Sequence, residues 1–323
     1  MKMLFCADVR LGAICAESLD IKQSHKWQDA RSEKLINLID KAAQNNAAYV
    51  VLFGQMFGQA RISESVIDGL FQAVKEDADI QTLAFLHIDE YKRISYRNDI
   101  PKNLHLFCLR TQDSYTDANI ALHIDKEKIE LQLGNNDTLI IREIVNQKYV
   151  ISGLSEDYIL PSFEPIGFED AQGMDCGYGI IEWTPEELGQ YISKANQKYA
   201  FRMIDLKIMP EDDQKEIIRK INNAVKSIAF DTFLRITIMG RLAFGMMLDV
   251  DALKKQLQNR IFFVEVYDNT VMDIDAEAFE NDISLRSEFV RLALQDDSLS
   301  ESERSRLISC GWNALKGEGG TMN

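Results

Sequence analysis

The sequence predicts a mixed α/β (α+β) protein in two domains, on three observations. The first ninety residues alternate short apolar runs with amphipathic stretches, which argues a largely parallel sheet with crossover helices. Residues 104 to 151 switch to closely spaced strand-like segments separated by turn residues, which suits antiparallel pairing. Beyond residue 187 strand and helix alternate again on a smaller scale. At 323 residues the chain exceeds what one core usually spans, and a boundary near 186 divides it into 1–186 and 187–323.

Each element has its own justification. Residues 2–9 are largely apolar and read as a strand, with a loop from Leu11. Over 29–44, Leu35, Leu38, Ile39, Ala42 and Ala43 fall at helical spacing, which leaves Arg31, Lys34 and Asp40 for solvent. "YVVLFG" at 49–54 is continuous rather than alternating, as expected of a strand covered on both faces. Val66, Ile67, Leu70, Phe71 and Val74 make one face of a helix over 63–76, and 82–86 is a further strand. "LHLFCL", "ANIALHI", "KIELQL" and "TLIIREI" read as antiparallel strands, with a turn at Gly134-Asn135-Asn136-Asp137. "GYGIIEW" at 177–183 is one more strand, and Thr184-Pro185-Glu186-Glu187 a helix start or turn. The second region reads as strand 201–208, helix 211–228, strand 233–239, helix 250–257 and strand 261–267. Helices follow over 285–294 and 301–315, the last with a capping box of Ser300 and Glu303.

Bulk properties exclude several classes. A composition 46% hydrophobic and 27% charged is that of a globular protein. No apolar run approaches the roughly 18–20 residues a membrane span needs. With no signal-peptide pattern at the start, a cytoplasmic location and no membrane partner are expected. Five scattered cysteines without CxxC spacing read as free thiols. A formal charge of −15 opposes strong non-specific attraction to DNA. Arg235, Arg241, Lys254 and Lys255 are the nearest candidates for a local basic patch.

In open α/β sheets, chemistry collects beyond the carboxyl ends of the strands. After the strand at 49–54, the position that would carry a charged ligand holds Gln55, a neutral amide. Four stretches share this character: "FCADVRLGA", "VVLFGQMFG", "LAFLHIDEY" and "YVISGLSEDY". Together they resemble the motifs of calcineurin-like metallophosphoesterases, and within these the SbcD/YhaO-type DNA repair exonuclease subunits. That family presents Asp-x-His, Gly-Asp, Gly-Asn-His-Asp, a further His and Gly-His-x-His, which hold two metal ions, commonly manganese. "PSFEPIGFEDAQGMDCGYGIIEW", "LRITIMGRL" and "SLRSEFVRLAL…LSESERSRLISCGWNAL" extend the resemblance over most of the chain.

The resemblance implies a metallophosphoesterase-like β-sandwich flanked by helices, then a smaller capping-like α+β domain with terminal helices. It also implies a degenerate site. Asp8 is retained, but Arg10, Gln55, Ile88, Asp89, Glu90, Leu154 and Glu156 stand where ligands or catalytic groups would be, and His87 lies just off the third motif. A guanidinium repels cations and an amide cannot bridge them. The implied function is a catalytically inactive, partner-binding scaffold in DNA maintenance, with no cofactor. Its implied partners are an SMC-like coiled-coil ATPase and a second copy of the chain. Two alternatives stand beside it. One is an active metal-dependent phosphodiesterase or exonuclease, with Asp8, Asp89, Glu90 and Glu156 holding Mn²⁺ or Mg²⁺. The other is a DNA-independent regulatory scaffold, which the acidic charge favours.

Within the degenerate reading, Arg10 replaces the absent metals electrostatically. In an extended segment Asp8 and Arg10 point to one side, and Gln55 donates from its amide. His105 and His123 fall in strand-like segments, and His25 is read as an exposed loop residue. No serine or cysteine sits in a nucleophile elbow or dyad motif.

Overall fold

In the computed structural model, described over residues 1–15, 17–58, 63–125, 128–144, 148–172, 176–195 and 198–315, the chain forms two compact units, Met1–Lys198 and Tyr199–Asn323. The fold is mixed α/β, as the alternation of patterns predicts. In the first unit β1 (Lys2–Ala7), β2 (Tyr49–Gly54), β3 (Gln81–Leu86) and β4 (Leu104–Cys108) run parallel. α1 (Ile21–Gln44), α2 (Glu64–Glu76) and the short α3 (Ile88–Ile94) provide the connections. β4 was expected to be antiparallel. It runs parallel because α3 and its following loop are long enough for a crossover.

β5 (Gln112–Thr116), β6 (Ile120–Asp125), β7 (Lys128–Leu133), β8 (Thr138–Ile144), β9 (Lys148–Ser152) and β10 (Tyr158–Ile159) form an antiparallel sheet in sequence order. After the single helical turn α4 (Phe168–Ala171), β11 (Gly177–Trp183) returns antiparallel to β1, and β12 (Leu188–Ala195) pairs with β11. The first sheet is therefore ordered β12-β11-β1-β2-β3-β4. The first unit runs past the expected boundary at 186 because β12 belongs to this sheet. Residues 184–187 form the turn into it, closed by Thr184 N donating to Glu187 O at 2.9 Å.

Two cores explain the unbroken apolar run of β2. Leu4, Val50, Leu52 and Ala84 face Leu35, Leu38 and Ala42 of α1 and Ile67, Leu70, Phe71 and Val74 of α2. Phe5, Val51, Phe53 and Phe85 face Leu122, Ile124, Leu131 and Ile141 of the second sheet. Rings stack across the strands, with centroids 4.7 Å apart for Phe53–Phe85 and 5.1 Å for Phe85–Phe107. Helices α1 and α2 flank the sandwich on the face of the first sheet. On the second sheet, exposed His123, Gln132 and Arg142 alternate with buried neighbours, so its outer face suits solvent.

α1 begins at Ile21, well before the expected start near 29. Asp20 Oδ1 accepts from Gln23 N at 2.8 Å and Gln23 Oε1 from Asp20 N at 3.1 Å, a complete capping box. Apolar periodicity does not reveal a first turn and a half that is almost wholly polar. His25 is consequently an exposed helical residue, not a loop residue.

In the second unit β13 (Ala200–Ile208), α5 (Gln214–Ala224), β14 (Thr232–Leu242), α6 (Val250–Gln258) and β15 (Phe263–Met272) build a parallel three-stranded sheet, β14 central. Leu234, Ile236 and Ile238 are buried against Ile217 and Ile221 of α5 and Leu253 and Leu257 of α6. β14 runs past the predicted end because Gly240, at φ +114°, lets Ile208 O approach where a Cβ would overlap it. α7 (Leu285–Gln295) and α8 (Glu301–Leu315) follow the predicted ranges. Ser300 Oγ accepts from Glu303 N at 3.3 Å and Glu303 Oε2 from Ser300 N at 2.9 Å. Among the described residues no helix is long and apolar enough to cross a membrane.

The capping box yields a direct prediction. Asp20→Ala should lower stability by about 1 kcal/mol in denaturant melts, with the unfolding slope unchanged. A variant equal to wild type would show that the first turns of α1 do not depend on the cap.

Candidate functional site

The site lies at the carboxyl ends of β1, β2 and β3. Past Ala7 the chain turns out of the strand, and Asp8 (φ +48°) and Arg10 (φ +51°) adopt left-handed backbone that side-chain-bearing residues rarely use. The expected extended geometry is therefore absent. Asp8 and Arg10 still meet, across a turn, with Arg10 Nη2 3.6 Å from Asp8 Oδ2. The closer partner of Arg10 is Asp170, at the end of α4, whose Oδ2 accepts from Nη1 at 2.9 Å and from Ile166 N at 3.1 Å. Arg10 thus lies between two carboxylates, one of which the motifs did not indicate.

Asp8 is 5% exposed, and its Oδ1 accepts from the backbone N–H of Gln55 at 3.0 Å. The donation from Gln55 to Asp8 comes from its main chain. Gly54, at φ +78°, has no room for a Cβ, which would overlap Asp8 Oδ1 and lie 2.9 Å from the Tyr149 ring. The glycine is required twice, by its conformation and by this close approach. Burial holds the Asp8 carboxyl above the usual aspartate value, against the pull of Arg10 and the Gln55 amide. Burial likewise raises the Tyr149 hydroxyl, with Asp8 adding to the effect. Neither Tyr149 Oη nor His87 Nε2 has a hydrogen-bond partner among the described residues.

Glu90 has a different role from a metal ligand. Its carboxylate accepts from three successive backbone N–H groups, Met56 (3.1 Å), Phe57 (2.9 Å) and Gly58 (3.3 Å). Such a nest of amides favours an anion, and here the anion is internal. Asp89 and Glu156 are exposed, Ile88 is 45% exposed, and Leu154 packs against the core between the sheets. Among the described residues no group of three or more His, Cys, Asp or Glu is placed to hold a metal ion. The all-oxygen cluster of Asp8, Asp89, Glu90 and Glu156 is not assembled. The donor set does not fit the manganese pair that the motif resemblance implies, since a guanidinium lies beside Asp8 and backbone amides engage Glu90.

Beneath this surface is a cluster the periodicity had assigned to solvent. Arg31 is 0% exposed and Lys34 5% exposed. Arg31 Nη2 donates to Val9 O at 2.7 Å and Nε to Arg10 O at 3.1 Å, while Nη1 lies 3.8 Å from Glu164 Oε2. Lys34 Nζ pairs with Glu164 Oε1, which also accepts from Lys198 N at 2.8 Å. Burial pushes the Arg31 guanidinium down to about 10 and lowers Lys34 as well, with Glu164 opposing both shifts. Glu164 and Asp170 stand in the stretch "FEPIGFED", acids flanking an apolar run. No sequence feature pairs them with Arg31 and Arg10. No protein-family model matches the chain, and no curated protein matches it.

Two outcomes test this geometry. Arg10→Met should lower stability by about 1–3 kcal/mol, and the same change in an Asp170→Asn background by much less, since the two share one ion pair. Equal costs in both backgrounds would reject the pairing. The second concerns pH. A carboxyl whose folded pKa lies above its unfolded one stabilises the fold below the unfolded value, and loses that contribution as pH rises through the folded value. Asp8→Asn removes this titration, so its stability relative to wild type should rise as pH climbs above about 4, the ordinary aspartate range, in a series of denaturant melts. A flat difference would show that Asp8 does not titrate as its burial requires.

Proposed function

We propose that this chain is a non-cutting, partner-binding scaffold built on a metallophosphoesterase-like unit of SbcD type, acting in DNA maintenance in the cytoplasm. The observation that carries the reading is Arg10. Its guanidinium lies between Asp8 and Asp170 beside the strand ends where the motif pattern would place two metal ions, and a fixed cation there opposes both. Glu90, spent on three amides, supports the same conclusion.

The second unit supports partner binding. Leu285, Phe289 and Leu292 recur along α7 at spacings of four and seven residues, and Leu285 is 72% and Leu292 60% exposed. Phe289 lies against Gly311 of α8, where a Cβ would overlap its ring, and Leu307 and Leu315 continue the apolar surface on that helix. An apolar stripe over paired helices suits a helical partner such as the base of a coiled-coil ATPase. A second copy of the chain is a further partner in this reading.

DNA binding in this reading is weak. Two of the four candidate cations are already paired, Arg235 with Glu265 at 3.0 Å and Arg241 with Asp273 and Glu301 at 3.3 Å each. Few cations then remain to release counterions from a duplex.

The deciding experiment combines elemental analysis after incubation with Mn²⁺ and a bis-p-nitrophenyl phosphate assay. The expected result is substoichiometric metal and no turnover. Near-stoichiometric metal with hydrolysis abolished by Asp8→Ala would overturn the reading and restore the enzyme.

A further inference from the structure

In the first unit the backbone just past β2 is saturated on both sides. Its carbonyls accept from the loop after β1: Arg10, Leu11 and Gly12 N–H donate to Gln55, Met56 and Phe57 O at 3.0, 2.8 and 3.0 Å. Its amides, of Met56, Phe57 and Gly58, all donate to the Glu90 carboxylate. Met56 is 2% and Phe57 0% exposed, so without Glu90 these N–H groups would be stranded away from water. The nest therefore demands an anion. The helix that delivers Glu90 is lightly anchored. In the seven residues of α3, Ile94 is buried, whereas Ile88 is 45% exposed and Asp89 is exposed. Donors beside the nest also exceed what one carboxylate engages. The Tyr149 hydroxyl, on a residue 2% exposed, feels the charges of both Asp8 and Glu90, yet has no hydrogen-bond partner among the described residues. Arg10 Nε is buried and unpartnered as well. A Cβ on Gly58 would lie 3.3 Å from Arg10 Cβ, which sets Arg10 against the last residue of the nest.

We propose that the Met56–Gly58 nest is a binding site for a small tetrahedral oxyanion, inorganic phosphate being the abundant case, and that Glu90 is its built-in competitor. Oxygen count argues for the shape. A carboxylate has two oxygens, and with both on the amides it leaves the Tyr149 O–H unused. Phosphate has four, enough to hold the same amides and still accept from Tyr149. Charge argues for the class, because Arg10 supplies a fixed cation alongside the nest. Burial holds Asp8 toward its neutral form, so that carboxyl opposes an anion less than an exposed one would. Seating phosphate sends the Glu90 side chain to solvent and releases the first turn of α3. Occupancy of the nest and the position of α3 are thereby linked. The proposal does not depend on whether the chain cuts phosphodiesters or binds a partner.

The test is calorimetric titration of the full chain with inorganic phosphate, and with acetate at matched ionic strength, in wild type, Glu90→Gln and Glu90→Ala. Replacing the charged competitor by a neutral amide should tighten phosphate binding by about tenfold or more over wild type. Adding Tyr149→Phe to Glu90→Gln should weaken phosphate by about tenfold and leave acetate unchanged, as loss of one hydrogen bond requires. Hydrogen exchange at residues 56–58 should slow in Glu90→Gln when phosphate is added. Glu90→Ala that folds in phosphate but not in chloride would support the same site. Phosphate binding no tighter in Glu90→Gln than in wild type would overturn the proposal. So would acetate binding as tightly as phosphate, or exchange at 56–58 indifferent to phosphate.

Discussion

A guanidinium wholly removed from water organises the first unit. Arg31 enters from α1, crosses under the loop after β1 and donates to two of its carbonyls, while Glu164 answers its charge from the far side of the sequence. Desolvating such a group is costly, and the fold tolerates it only because several acceptors converge there. Everything around the site inherits its position from that convergence. Val9 and Arg10 are held by their carbonyl oxygens, so Asp8 and Arg10 can keep left-handed backbone that would otherwise relax. Lys34 shares Glu164 and lies over the Phe163 ring at 5.4 Å, which ties the same helix to the segment leading to Asp170.

Much of the architecture was legible before any coordinates. Val50 to Phe53 form an unbroken apolar run because the strand has helices on one face and a second sheet on the other. Leu234, Ile236 and Ile238 alternate because β14 has helices on one face only. What failed to be legible shares a physical cause. Hydrophobic periodicity assigns every charged residue to solvent, so it misplaced Arg31 and Lys34. Their burial depends on Glu164, 130 residues from Lys34, and no local pattern encodes that distance. The Arg10–Asp170 pair spans 160 residues and escaped for the same reason. The direction of β4 was misread because strand character alone does not fix parallel or antiparallel pairing; connection length does.

At the site the motifs located the right place and misassigned the roles. Asp8, Arg10, Gln55 and Glu90 do gather at the strand ends, but Asp8 is held by the main chain of Gln55 and Glu90 serves a nest of amides. Both contacts use backbone N–H groups, whose position depends on φ and ψ and not on residue type. Left-handed Asp8 and Arg10 were equally invisible, since neither is glycine and residue type alone does not signal positive φ. Tyr149, the first residue of the last motif, was given no role because it stands on the other sheet and reaches the site only through the packing of the two layers.

The strand order bears on how the chain is made. β1 leaves the ribosome well before β11, yet it lies in the interior of its sheet, with β2 on one side and β11 on the other. Its second edge stays unpaired until residues 177–183 have emerged, and Met1 itself hydrogen-bonds to Trp183 at 2.5 Å. For most of the first unit's synthesis a largely apolar strand therefore presents open backbone to its surroundings, the kind of edge that recruits foreign strands. A long interval between the two halves of one ladder places this protein among slow-nucleating folds. Any fragment ending before residue 177 leaves that edge of β1 without its β11 partner.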